Sequence, residues 1–467
     1  MTKKTNVLCF IDNPRGRDFE IVVLLAIFIE KYLNCKVEFF LKWDIHQIYK
    51  KKPDIVLTPN AIGSHYYYEI TKYAAESGIK VFSLISEGNF RTNGTFNYWG
   101  YNKNNIFYQD YICHWSQRTL DFLVSELPEY KDKMVLTGAT GFDRYKIYEF
   151  QKRETILRKY GKEKYKKVIT YAAWSFGKLF NEQGRKEIQY MNAPGKPDRA
   201  KWMEEQMYEV EGVLERVITE NPDILFFLKR HPSARNPSVT GEEMNEIIRL
   251  SKYENVIYIK EREEIHDLIA ISDLWLGFET TTALEAWCMH DRPTILINSN
   301  TDFIRDELYK GSVIAADYSE LQSFVDEFYT TGRVKAFDIV EKKQERNRLM
   351  ASIIGFDDGL NHLRAAFYFN KTLTRPESKI KIKINLIYLF RHLLTRLGKL
   401  TYNKDLFLKL PKFKKSVWVF ERLDMSEAYL AKKRYEKYVD DFYEKKHLHS
   451  LSDFELLWTN IITQKNE

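Results

Sequence analysis

Short apolar runs alternate with stretches in which apolar residues recur every three or four positions, from the N-terminus to about residue 350. Residues 7–11 are an apolar run closed by Asp12-Asn13-Pro14, which predicts a strand and a turn. Residues 19–33 have the length and period of a helix, and 36–41 alternate like a strand. The series continues with strands over 54–57, 80–85, 111–115 and 134–137, and with helices over 66–77 and 117–127. Strands separated by helices of this size predict βαβ units and a parallel sheet.

Residues 146–166 are charged and helical, and read as a connecting segment. A second series follows. Its strands are expected over 167–172, 224–229, 256–259, 274–276 and 294–297, and its helices over 204–219, 265–271, 281–289, 319–329 and 338–350. From residue 359 onwards only helix-like periodicity is present. The predicted fold is therefore α/β, with two Rossmann-like domains (1–150 and 165–355) facing a cleft and a helical, basic region over 356–467. Ligands of open α/β sheets bind beyond the carboxyl ends of the strands, so that cleft is the expected site.

Composition narrows this reading. A length of 467 residues, at about 100–200 per domain, fits two to four domains. Hydrophobic residues at 44% and charged residues at 29%, with only 20 Gly and 12 Pro, exclude a mainly disordered or collagen-like chain. The four Cys, at 9, 35, 113 and 288, form no C-x-x-C pair, so neither a zinc ribbon nor a redox motif is visible. They are expected as buried thiols in a reducing compartment. The N-terminus lacks the long apolar core of a signal peptide, and the longest apolar run, 21–29, is too short to span a bilayer. The expectation is a cytoplasmic protein without a transmembrane helix.

The net charge of +7 is unevenly placed. Residues 375–415 hold twelve Lys or Arg against two acids, Glu377 and Asp405, so the remainder is mildly acidic. In that segment basic residues alternate with Ile380, Ile382, Ile384, Leu386, Phe390 and Leu394. This composition suits an anionic membrane surface, which would make the protein peripheral on the inner face of the plasma membrane. It also fits a solvated basic face packed on the body. No nucleic-acid-binding motif accompanies it, and no nucleic-acid partner is expected.

Four motifs fall at predicted strand ends. Ser86-Glu87-Gly88-Asn89 follows the strand over 80–85 and offers a carboxylate as general base, with a glycine that allows close backbone approach; its bland reading is a solvated turn. Lys229-Arg230-His231-Pro232 ends the strand over 224–229 and offers two cations and an imidazole to a phosphate, with Pro232 stiffening the turn; a basic surface turn is the alternative. Gly277-Phe278-Glu279-Thr280-Thr281-Thr282 opens a helix, where hydroxyls and free N–H groups suit an anion and Glu285 suits ribose hydroxyls. The alternative there is an ordinary capping box from Thr282 to Glu285. Thr137-Gly138-Ala139-Thr140-Gly141-Phe142-Asp143 closes the first half, and its Asp143 is either structural or in contact with the acceptor.

This set of motifs, with Ala286 and Pro293, resembles bacterial GT-B glycosyltransferases of surface-polysaccharide (capsule and lipopolysaccharide) assembly. It is most similar to those using CMP-activated acidic sugars, the sialyltransferases, polysialyltransferases and Kdo transferases. The likeness to the CDP-glycerol polymerases of teichoic-acid assembly is weaker. The resemblance covers about residues 5–350. It implies an acceptor-binding first domain and a second domain that binds a nucleotide-sugar donor. It also implies Glu87 as the base, His231 on the donor phosphate, and Thr280 and Thr281 holding that phosphate. Gly88, Asn89 and Asp143 would then face a lipid-linked or glycan acceptor. The family's first acidic position is Ser86 here, and Glu279 and Glu285 do not make the spacing of retaining GT-B enzymes, so a UDP-sugar donor remains in play. With no DxD motif at a strand end, no metal and no cofactor is expected. The competing readings are a CDP-polyol phosphotransferase, against which His65 and His114 both lack a following Gly, and a non-catalytic scaffold.

Overall fold

The computed structural model describes residues 3–14, 16–62, 65–89, 101, 106–190, 199–231, 247–259, 265–278, 280–289, 291–300, 306–376, 379–401 and 424–463. The chain divides into two compact units, one formed by Met1–Tyr148 with Ala351–Glu467 and the other by Glu149–Met350.

The first unit is built on strands β1 (Thr5–Ile11), β2 (Cys35–Leu41), β3 (Ile55–Thr58), β4 (Lys80–Ser83), β5 (Tyr111–His114) and β6 (Met134–Leu136). They lie in the order β2-β1-β3-β4-β5-β6 with every pair parallel. Val7 stands beside Val37 on one side and Ile55 on the other. β1 and β3 read as unbroken apolar runs because helices cover both faces of a parallel sheet. β2, at the end of the sheet, alternates instead, with Val37 and Phe39 buried and Lys36 and Glu38 turned outward as an ion pair.

The helix Arg17–Tyr32 is buried almost throughout, from Asp18 to Ile29. A helix that is apolar all round must be covered all round. The sheet covers one side, and the helices Asn361–Leu373 and Ser426–Lys445 pack on it elsewhere. The Phe28 ring sits 4.8 Å from Phe454 and 5.9 Å from Trp458. This is why the chain after residue 350 returns to the first unit, where the sequence alone suggested a helical region of its own over 356–467. Periodicity identified those helices but not what they cover.

The second unit carries β7 (Lys167–Ala172), β8 (Ile224–Lys229), β9 (Val256–Ile259), β10 (Leu274–Gly277), β11 (Thr294–Ile297) and β12 (Val313–Ala315). Their order is β12-β11-β10-β7-β8-β9, again all parallel. The connecting stretch 146–166 holds only the short helix Arg153–Lys159 as a regular helix beyond Ile147. It is pinned to its own unit where the Gln151 main-chain N and Nε2 each donate to Asp267 at 2.8 Å. The four cysteines are buried free thiols. Among the described residues no helix is long and apolar enough to cross a membrane.

Candidate functional site

In the first sheet the chain order reverses between β1 and β3, and a crevice opens at the carboxyl ends of strands where such a reversal occurs. Asp12, Asn13, Arg17 and Asp18 follow β1, Asn60 follows β3, and Ser86 to Asn89 follow β4. The Thr58 and Ser83 hydroxyls meet at 2.7 Å, and Asn60 Nδ2 donates to Ser86 Oγ at 3.1 Å. Trp115 Nε1 donates to the Ile85 carbonyl at 2.7 Å, and the Thr119 hydroxyl donates to that of Gly88 at 3.1 Å. The loop is thus fixed at Ile85, Ser86 and Gly88, three points around Glu87. The Glu87 side chain is 41% exposed, and its carboxylate pairs with the Arg17 guanidinium.

Two neighbours of Glu87 differ from expectation. A Cβ on Gly88 would lie 2.3 Å from the Trp115 ring, so the glycine makes room for that indole and not for a ligand. Asn89 Oδ1 accepts from Arg118 at 2.6 Å, which makes it part of the loop's scaffold. Asp143 differs more. It is buried, and its carboxylate accepts from the backbone N–H groups of Asn361 (3.1 Å) and His362 (2.7 Å). His362 Nδ1 lies 2.8 Å from the same carboxylate, and His362 Nε2 lies 2.7 Å from the Tyr443 hydroxyl. Burial raises the Asp143 pKa while His362 and the two N–H groups oppose the rise. Asp143 is a structural pin between the strand-end loop and the returning helices, not an acceptor contact.

The structure adds Asp18, which the sequence reading passed over. It sits in the first turn of the buried helix, and the Tyr67 hydroxyl donates to it. Burial, with repulsion from Asp12, pushes its carboxyl up to about 7, against the hydrogen bond from Tyr67 and the charge of Lys42. The signal for it in the sequence is the run of polar residues directly after the first strand of a doubly wound sheet.

In the second sheet the order reverses between β7 and β10. The β8 end, beside β7, presents Lys229, Arg230 and His231. Ala173 N donates to the Lys229 carbonyl at 3.0 Å, and Arg230 N to that of Ile259 at 3.3 Å. Pro232 and Glu279 lie outside the described residues. After β10, Gly277 allows the Thr280 methyl to fold back, since a Cβ there would be 2.4 Å from it. Thr280 Oγ1 meets Thr282 Oγ1 at 2.8 Å and accepts from Thr282 N at 3.2 Å, and Thr282 Oγ1 accepts from Trp275 Nε1 at 2.8 Å.

The helix begins at Thr282, with Thr281 as its N-cap in a helical conformation and no side-chain cap hydrogen bond, so the Thr282–Glu285 capping box does not form. The helix ends at Cys288 after seven residues, and its dipole is correspondingly small. Two of the three threonine hydroxyls are thus engaged with each other, and Glu285 is buried in the helix. The cationic side chains nearest this edge are Lys229 and Arg230 at the end of β8, with His231 after them, and Arg230 is buried. Also at this edge, and missed in the sequence, are Ala173, Trp174 and Ser175 after β7; the small pair Ala172-Ala173 at a strand end was the available sign of close approach. A separate cavity of about 210 Å³ in the first unit, lined by Leu120, Met134, Phe356 and Tyr368 among others, contains none of the candidate site residues.

No protein-family model and no curated protein matches the chain. Solved structures do. A protein from Listeria monocytogenes named as a UDP-N-acetylglucosamine 2-epimerase is 13% identical, with 82% of this chain and 100% of that chain covered and a TM-score of 0.50. A second UDP-N-acetylglucosamine 2-epimerase is 14% identical over 81% of this chain and 99% of its own, with a TM-score of 0.50. At these identities the likeness establishes the architecture, a GT-B-like pair of Rossmann-type domains.

Proposed function

We propose that the chain is a GT-B-type enzyme that acts on a UDP-activated sugar and transfers that sugar to an acceptor hydroxyl. The observation that carries this reading is the set Lys229, Arg230 and His231 at the carboxyl end of β8 and Thr280 to Thr282 after β10, the two strands on either side of β7 at the reversal of the second sheet. The names of the two solved structures favour a uridine nucleotide over the CMP-activated acidic sugar expected from the motifs, and the proposal moves accordingly.

In the proposed step the acceptor oxygen forms a bond to the anomeric carbon. The bond from that carbon to the phosphate oxygen breaks, and its electron pair leaves with the nucleoside diphosphate. Lys229, Arg230 and His231 meet the charge that develops on the departing phosphate. The acceptor proton passes to a carboxylate base, for which the strand-end motif of the first unit offers Glu87, accessible and paired with Arg17.

The test is a nucleotide panel of UDP, CMP, CDP and GDP read by thermal shift. UDP at ~100 times its dissociation constant should stabilise the protein by about 2.7 kcal/mol, and His231→Ala should abolish most of that gain. Glu87→Gln should keep the UDP response and lose turnover by about 100-fold or more. Preference for CMP returns the donor to the acidic-sugar class, and preference for CDP points to polyol-phosphate transfer. No response to any nucleotide removes the enzyme reading and leaves a scaffold. The names of the solved structures favour one second reading, epimerisation. It predicts a changed sugar that stays attached to UDP, where transfer predicts free UDP in step with acceptor consumption.

A further inference from the structure

The helix Leu386–Thr401 is mounted the wrong way round for a protein that meets only water. Leu386, Phe390, Leu393, Leu394, Leu397 and Leu400 are between 49 and 73% exposed. At 100° per residue these six fall within an arc of about 120°, so they form one continuous stripe. An ordinary surface helix turns such a stripe inward.

The inward face is polar and firmly held. His392 is buried, with Nδ1 2.7 Å from Asp44 Oδ1 and its ring 5.2 Å from that of His46. Arg391 donates to Glu69 at 2.8 Å, and the Tyr388 ring lies 5.2 Å from that of Tyr73. The segment leading into the helix is tied down as well, by Lys381 N donating to the Ser77 carbonyl at 2.9 Å and the Tyr73 hydroxyl donating to the Lys383 carbonyl at 2.6 Å. Rolling the helix to hide its stripe would break the His392 and Arg391 contacts together. The outward stripe is therefore a fixed feature of the unit.

We propose that this helix, with residues 379–384 before it, docks the protein on the surface of an anionic lipid bilayer, with the leucine stripe seated at the level of the headgroups and upper acyl chains. Charge selects this occupant. Residues 379–401 contain Lys379, Lys381, Lys383, Arg391, Arg396 and Lys399 and no acidic residue. Arg396 flanks the stripe on the side away from Arg391, where its head reaches phosphates while its stem lies along the apolar surface; Arg391 stays on Glu69, and Lys379, Lys381 and Lys383 add charge in the segment before the helix. A second copy of the chain would bring two such cationic rims together. At 16 residues, ~24 Å, the helix is too short to cross a hydrocarbon core of ~30 Å, so it lies in the plane of the interface. The inference does not depend on the nucleotide-sugar reading.

The full chain is sedimented with vesicles of phosphatidylcholine alone and of an equal mixture of phosphatidylcholine and phosphatidylglycerol. Binding is expected to the mixed vesicles, to weaken with added salt, and to be slight on phosphatidylcholine. Phe390→Ser with Leu394→Ser, both on the exposed face, should leave the thermal transition in place and lower partitioning by about tenfold or more. Lys383→Gln with Arg396→Gln should lower it by about fivefold per charge, on the anionic vesicles only. Absence of vesicle binding overturns the proposal, as does binding that ignores the Phe390 and Leu394 changes. A dimer in solution that Phe390→Glu dissociates, without vesicle binding, assigns the stripe to a second copy instead.

Discussion

Two helices of this protein, Arg17–Tyr32 and Leu386–Thr401, are both 16 residues long and both carry many large apolar side chains. The first has its apolar residues buried on every side. The second shows its apolar stripe to the outside and hides His392. What separates them is the partner available to their polar groups. Glu20 of the first helix pairs with Arg144 at its margin, while the middle of the helix carries nothing polar to satisfy. The second helix finds Asp44 and Glu69 waiting on the body for its His392 and Arg391. Apolar periodicity defines a face; the location of complementary polar groups decides which way that face points.

The comparison breaks most visibly in the first helix. Phe28→Ala removes a ring packed against Phe454, Trp458 and Tyr443, and should destabilise the first unit by about 3–5 kcal/mol in a denaturant titration. Asp18 tests the same helix by pH. Its carboxyl holds a proton to about 7 in the native state, against an ordinary value of 3.8 in the unfolded chain. Its stabilising contribution is therefore complete below about pH 4 and is lost as pH rises through 7, a change of up to about 4 kcal/mol. Asp18→Asn should flatten that part of the stability–pH curve and make the variant the more stable protein at pH 8. His362→Leu leaves Asp143 and the Tyr443 hydroxyl without their shared buried partner, and should cost about 1–3 kcal/mol. Phe390→Ala, on the exposed stripe, should shift stability by no more than about 0.5 kcal/mol in the absence of lipid. A loss at Phe390 comparable to that at Phe28 would erase the distinction between the two helices.

The inner strands were readable as short apolar runs covered on both faces and β2 by its alternation, and the strands at 224–229 and 256–259 coincide with Ile224–Lys229 and Val256–Ile259. The three-residue strand Val313–Ala315 and the polar helix Glu182–Tyr190 carry too little pattern to stand out. At the candidate site, the strand-end position of Glu87 and of Lys229 to His231 followed from local pattern. What surrounds them did not. Gly88 faces Trp115, and Asp143 faces His362 across more than two hundred positions of sequence, so no local spacing encodes either encounter. Asp18 was hidden for a related reason. Its burial depends on Tyr67, which arrives from the helix after β3.

The interrupted first unit also sets an order of events during synthesis. The helix Arg17–Tyr32 is made early, yet the helix Asn361–Leu373 that covers part of it follows only after the whole of the second unit has been made. At about 5–20 residues per second that interval is roughly 15 to 60 seconds. Throughout it, the longest unbroken apolar run of the chain, residues 21–29, emerges from the ribosome without its final cover and must be sheltered by the sheet alone or by a chaperone. A chain stopped at residue 350 freezes that unfinished state and should aggregate where the full-length protein does not.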